Sequence, residues 1–158
     1  MSGQYLMIMQ ESLEKKIEVL DEILRISREQ SEVLAQDPVD YEHFDRCVDE
    51  KDPLIERLNK LDSGFEKLYQ NVKADLENNK SKHKDWIENT KKLIAEIMEK
   101  STTIQAVEAR NKQAVECALR KSRRAISHDK QNLNVAMNYY RSMSNSQNVP
   151  PQFMDQKK

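Results

Sequence analysis

FDRCVDEKDPLIERLNKLDSGFEKLYQNV, Phe44 to Val72, decides the fold. Phe44, Cys47, Lys51, Leu54, Leu58, Leu61, Phe65, Leu68 and Val72 recur at alternating steps of three and four. An α-helix turns once in 3.6 residues, so these side chains line one narrow stripe. The stripe has a single polar miss, Lys51. A seam this narrow needs a second helix against it, in the manner of a coiled coil. Pro53 lacks an amide hydrogen and costs about 3 kcal/mol inside a helix. Asp52 suits a helix cap and proline suits the first helical position, so the spacing predicts a kink or short break at Asp52–Pro53.

Outward from that stretch the same period continues. Leu13, Ile17, Leu20, Leu24, Ser27, Ser31 and Leu34 form an earlier stripe, widened by Ile23 and Ile26. It predicts a first helix over about 4–35, stopped at Gln36-Asp37-Pro38 because the residue before proline leaves the α region. Asp40 suits the cap of a second helix over about 41–77. So short a linker makes the two antiparallel neighbours. Asn78-Asn79-Lys80-Ser81 is a polar break. A third stripe begins with Trp86, Thr90, Leu93, Ile97 and Ile104, and Trp86 reads as a core anchor.

Beyond Ile104 the stripe turns half-polar: Val107, Asn111, Val115, Leu119, Ser122, Ile126, Asp129, Leu133, Met137 and Tyr140. No glycine or proline interrupts it, which favours one helix over 81–141. Thr102 and Gln105 have capping-box spacing, which leaves a fourth helix as the alternative. The fold class is therefore all-α: an antiparallel long-helix bundle or coiled coil of three helices, or four, running up-down-up. Residues 1–141 form the helical domain. The remainder, 142–158, has no periodicity and reads as a disordered tail. A single third helix would overhang its partners by its last turns. The apolar stripe there, Val107, Val115, Leu119, Ile126, Leu133, Met137 and Tyr140 with Asn111, would then be a homodimer seam or a docking surface for a partner.

Composition excludes more than it assigns. Two glycines in 158 residues leave no phosphate-cradling loop, and the chain carries none of the common nucleotide, zinc-protease or hydrolase motifs. Its carboxylate pairs read as solvated faces, and no enzyme activity is expected. No cofactor is expected either. His43 and Cys47 lie one turn apart, yet two ligands do not hold zinc, so no metal is expected. The net charge is −1, divided as −9 over residues 1–79 and +8 over residues 80–158. The basic run Arg120, Lys121, Arg123, Arg124 lacks the interleaved aromatics of a nucleic-acid surface. The isolated cysteines suit a reducing compartment, YLMIM is too short for a signal peptide, and no stretch suits membrane insertion. A cytoplasmic protein is expected.

The runs LDEILRISREQSEVL (20–34) and FDRCVDEKDPLIERLNKLDSGFEKLY (44–69) resemble the FlgN family of flagellar type III export chaperones. Glu29-Gln30, Glu50-Lys51, Leu54-Ile55, Leu58 and Leu61 occupy the positions that carry the likeness. Asn111 is similar to a recurrent asparagine of the family's third helix, and QFMDQKK resembles tails of such chaperones. Pro53 departs from the pattern. The resemblance implies a cytoplasmic carrier that binds the C-terminal helical segment of hook–filament junction proteins, prevents premature assembly and delivers them to the export apparatus. It also implies that the C-terminal helical part binds the client. The alternative is a coiled-coil scaffold or dimerisation protein with no carrier role.

Overall fold

A computed structural model describes residues 2–121 and 134–143 of the chain. It contains α1 (Ser2–Leu34), α2 (Tyr41–Asn78) and α3 (Lys84–Lys121). A shorter helix, α4, covers residues 134–143. No strand occurs among the described residues. The all-α bundle is as the periodicity requires.

Cross-helix pairs fix the topology. Lys16 meets Asp62, Ser27 meets Lys51 and Glu29 meets Cys47, so numbers fall along α2 as they rise along α1. These helices are antiparallel. Trp86 meets Leu6, Lys100 meets Asp21, Glu108 meets Ser27 and Asn111 meets Ser31, at separations of 79 to 81 residues. A constant separation means that α3 runs parallel to α1. The order is up-down-up.

The centre of the molecule is α1. Both α2 and α3 pack along it, and they approach each other only marginally. Its buried face is correspondingly wide: Leu6, Met9, Leu13, Val19, Leu20, Ile23, Ile26 and Val33 are all covered. The Phe44–Val72 stripe supplies one flank through Phe44, Cys47, Val48, Lys51, Phe65, Tyr69 and Val72. Leu54, Leu58, Leu61 and Leu68 of that stripe are half-buried.

Two expectations change. First, of the kink or short break expected at Asp52–Pro53, the break does not occur: Pro53 lies inside α2. Buried residues on both sides of it, Lys51 before and Phe65 after, hold the helix against α1 and outweigh the lost hydrogen bond. Asp40 does cap α2, its carboxylate accepting from the His43 amide at 3.1 Å. Second, a single helix over 81–141 is not what forms. Glu108 and Tyr139 both lie beside Lys51. In one straight helix these positions, 31 apart, would be separated by about 46 Å. Hence α4 folds back onto the bundle, the four-helix alternative. The break is not at Thr102, where α3 is continuous. Of the proposed tail, residues 142 and 143 belong to α4 and the rest lies outside the described residues.

Candidate partner-binding surface

The residues expected to form a bare seam are for the most part covered by the chain itself. On α3, Val107, Asn111 and Val115 are buried, Val115 completely. Leu119, one turn on, is half-buried against the core. On α4, Tyr140 is buried and Met137 is half-buried. Ile126 and Leu133 lie outside the described residues. The described part of α3 ends at Lys121, and α4, further along the chain, covers much of the stripe.

The seat of α4 lies between α2 and α3. Ala136, Tyr139, Tyr140 and Met143 point inward. That is the spacing i, i+3, i+4, i+7 of a helix laid in a groove. Tyr140 packs on Phe44 with ring centroids 6.1 Å apart, and edge-on against Tyr139 at 5.1 Å. Residues 134, 135, 138, 141 and 142 face outward.

Beneath Tyr139 is a buried polar cluster. Lys51 has no exposed surface. Its Nζ donates to Glu108 Oε1 at 2.6 Å and to Ser27 Oγ at 3.1 Å. Ser27 Oγ also bonds Glu108. One turn along α1, Ser31 Oγ donates to Asn111 Oδ1 at 2.6 Å, and Asn111 Nδ2 donates to the Ser27 carbonyl at 2.9 Å. The Lys51 ammonium lies 4.6 Å from the Tyr139 ring centroid, a cation–π distance. Burial lowers the Lys51 pKa, and Glu108 opposes that shift. Burial and the Glu108 charge raise the pKa of both Tyr139 and Tyr140. The cluster therefore joins α1, α2, α3 and α4 at one level of the bundle.

A family model described as FlgN protein matches residues 1–147. The chain belongs to the FlgN family. That makes it a flagellar export chaperone in the general sense. Comparison with curated proteins and with solved structures returns no match. No described helix of this FlgN-family chain is long and apolar enough to cross a membrane.

Sequence reading strung Val107, Asn111, Val115 and Tyr140 along one helical stripe, whereas the fold puts the first three on α3 and Tyr140 on α4. That reading missed Ser27, Lys51 and Glu108 as parts of the buried cluster, and it missed the anchors Ala136, Tyr139 and Met143. A signal for the first two was present: each is a polar residue at a seam position, and seam positions are buried. Glu108 carried no such mark, because it lies beside the Val107–Asn111–Val115 stripe and looks like a solvated charge.

Proposed function

We propose that this FlgN-family chain is a cytoplasmic carrier for the C-terminal helical segment of hook–filament junction proteins. It keeps them from assembling early and brings them to the export apparatus. The observation that carries this reading is the family match over 1–147. The seat of α4 supports it physically. That groove accepts an amphipathic helix by four anchors at i, i+3, i+4 and i+7, which is how an amphipathic client helix is recognised elsewhere.

On this reading the client takes the place of α4. Val107, Asn111, Val115 and Leu119 supply the α3 wall of the groove. Met137 and Tyr140 belong to the helix that makes way, and Ile126 and Leu133 lie outside the described residues. The ten described residues of α4 would be marginal as a helix on their own in water, so the docked face orders them, and a longer helix with better anchors can take their place.

Co-purification with junction subunits from the same genome tests the reading. A stable complex is expected with the full subunit and none with a subunit truncated before its C-terminal helix. Leu119→Asp, at a half-buried position, weakens capture about tenfold or more. Tyr139→Ala loosens α4 and strengthens capture. Failure of every junction subunit to bind, or capture indifferent to both substitutions, overturns it.

A further inference from the structure

The pair His43 and Cys47, one turn apart on α2, acquires a third potential ligand in the fold. Glu29 of α1 faces them. The three ligand atoms, one from each side chain, all lie within 4.8 Å of one another. Cys47 Sγ donates to Glu29 Oε2 at 3.2 Å, and His43 Nε2 is 3.7 Å from Glu29 Oε1. In a tetrahedral zinc site, metal–ligand bonds of about 2.0–2.3 Å put neighbouring ligand atoms about 3.3–3.6 Å apart. The two observed edges bracket that range. A small rotation of the Glu29 carboxylate presents one oxygen to both partners.

We propose that Glu29, His43 and Cys47 form a zinc site that staples α1 to α2 near the hairpin turn. The donor set fits the metal. Thiolate and imidazole favour zinc over calcium or magnesium, and a carboxylate completes three protein ligands. A water or an outside group takes the fourth position. Charge also balances: one thiolate and one carboxylate neutralise a divalent cation. No lysine or arginine comes within salt-bridge distance of Glu29 among the described residues, so no cation already holds the carboxylate.

Access is sufficient. Cys47 is buried, but the side chains of His43 and Glu29 are 33% and 37% exposed, so the ion would enter from the open side of the seam. Binding forms a Zn–S bond as the S–H bond breaks, with the proton leaving to solvent, while His43 binds through Nε2. The site lies at the Glu29–Cys47 level of the hairpin, apart from the Lys51–Glu108 cluster one turn further along α2, and does not depend on the carrier reading.

The test uses tag-free full-length protein stripped with chelator, to which zinc sulfate or cobalt chloride is added alone. One zinc per chain and a raised thermal midpoint are expected. Cobalt should give a thiolate-to-metal charge-transfer band that is lost in Cys47→Ser and kept in Cys117→Ser. His43→Ala and Glu29→Gln, both at half-exposed positions that tolerate substitution, should each weaken zinc binding tenfold or more with the helical signal of the metal-free chain unchanged. These two decide the matter if Cys47→Ser does not fold. Absence of stoichiometric zinc uptake by the native chain, uptake unaffected by His43→Ala and Glu29→Gln, or a charge-transfer band that follows Cys117 would overturn the assignment.

Discussion

Removing one partner of the Lys51–Glu108 pair should cost far more than removing both. Lys51 is fully buried and the Glu108 side chain is 6% exposed. Their separation is 2.6 Å, and Glu108 Oε2 finds no hydrogen-bond partner among the described residues. Taking two charges out of water is expensive, and the attraction between them only partly offsets it. The lowered pKa of Lys51 says the same: desolvation outweighs the help from Glu108. Lys51→Met leaves the Glu108 carboxylate buried and unpaired, and Glu108→Leu leaves the ammonium so. Each single change should cost about 3–5 kcal/mol. In Lys51→Met/Glu108→Leu no buried charge remains, and Ser27 can turn its hydroxyl to a carbonyl one turn back on α1. The double variant should lie within about 1–2 kcal/mol of the native chain. Urea unfolding followed by helical circular dichroism reads the difference. With a slope near 2 kcal/mol per molar, each single variant loses about 2 M in midpoint and the double recovers most of it. A double variant that loses the sum of the two singles would refute this account of the cluster.

Other consequences are open to the same measurements. Asn111→Ala removes a donor to the Ser27 carbonyl and an acceptor for Ser31, and should cost about 1–3 kcal/mol in urea unfolding. Phe44→Ala opens a cavity under Tyr140 at a fully buried position and should cost about 3–5 kcal/mol. Tyr139 and Tyr140 are held protonated above their ordinary value of 10.0. Their contribution is whole below pH 10 and is lost as pH rises further, because the unfolded chain ionises there first. Tyr139→Phe should flatten the fall in stability between pH 10 and 11, measured by thermal unfolding. Trp86 donates from Nε1 to the Leu6 carbonyl at 2.8 Å, and Trp86→Phe should lower stability by about 1 kcal/mol. As the single tryptophan, Trp86 also reports α1–α3 docking by its fluorescence.

Much of the bundle was legible because helical period and loop length are local signals. The stripes around Leu13–Leu34, Phe44–Val72 and Trp86–Ile104 set three helices, and the short Gln36–Asp40 linker set the hairpin. What failed depends on distant residues. Pro53 reads as a kink or short break when only its own turn is considered, and packing on both sides keeps α2 continuous through it. No glycine or proline lies between Lys121 and Met143 to announce that α4 packs back on the bundle. Nothing in the spacing of Ala136, Tyr139, Tyr140 and Met143 says that α2 and α3 leave a groove wide enough for them. The metal-ligating trio was half visible for the same reason: the i, i+4 pair His43–Cys47 is local, whereas Glu29 arrives through the hairpin.

The polar seam positions also set the register of the bundle. Ser27 and Ser31 on α1, Lys51 on α2 and Asn111 on α3 each look like a flaw in an apolar stripe, and in the fold they are one another's partners. A shift of α3 by one turn would bury Lys51 without Glu108, at a cost of several kcal/mol. The cluster thus fixes register between α2 and α3, which otherwise barely touch. Tyr139 is its lid. If a client helix displaces α4, Lys51 and Glu108 meet water during the exchange, and rehydration offsets part of the burial lost with Tyr139. A wholly apolar floor would gain nothing from opening. A charged floor therefore lowers the barrier to swapping one helix for another, and Lys51→Met/Glu108→Leu should slow client capture while leaving the fold intact. Stopped-flow mixing with a junction-subunit helix reads that rate, and a rate equal to or above the native one would sink the argument.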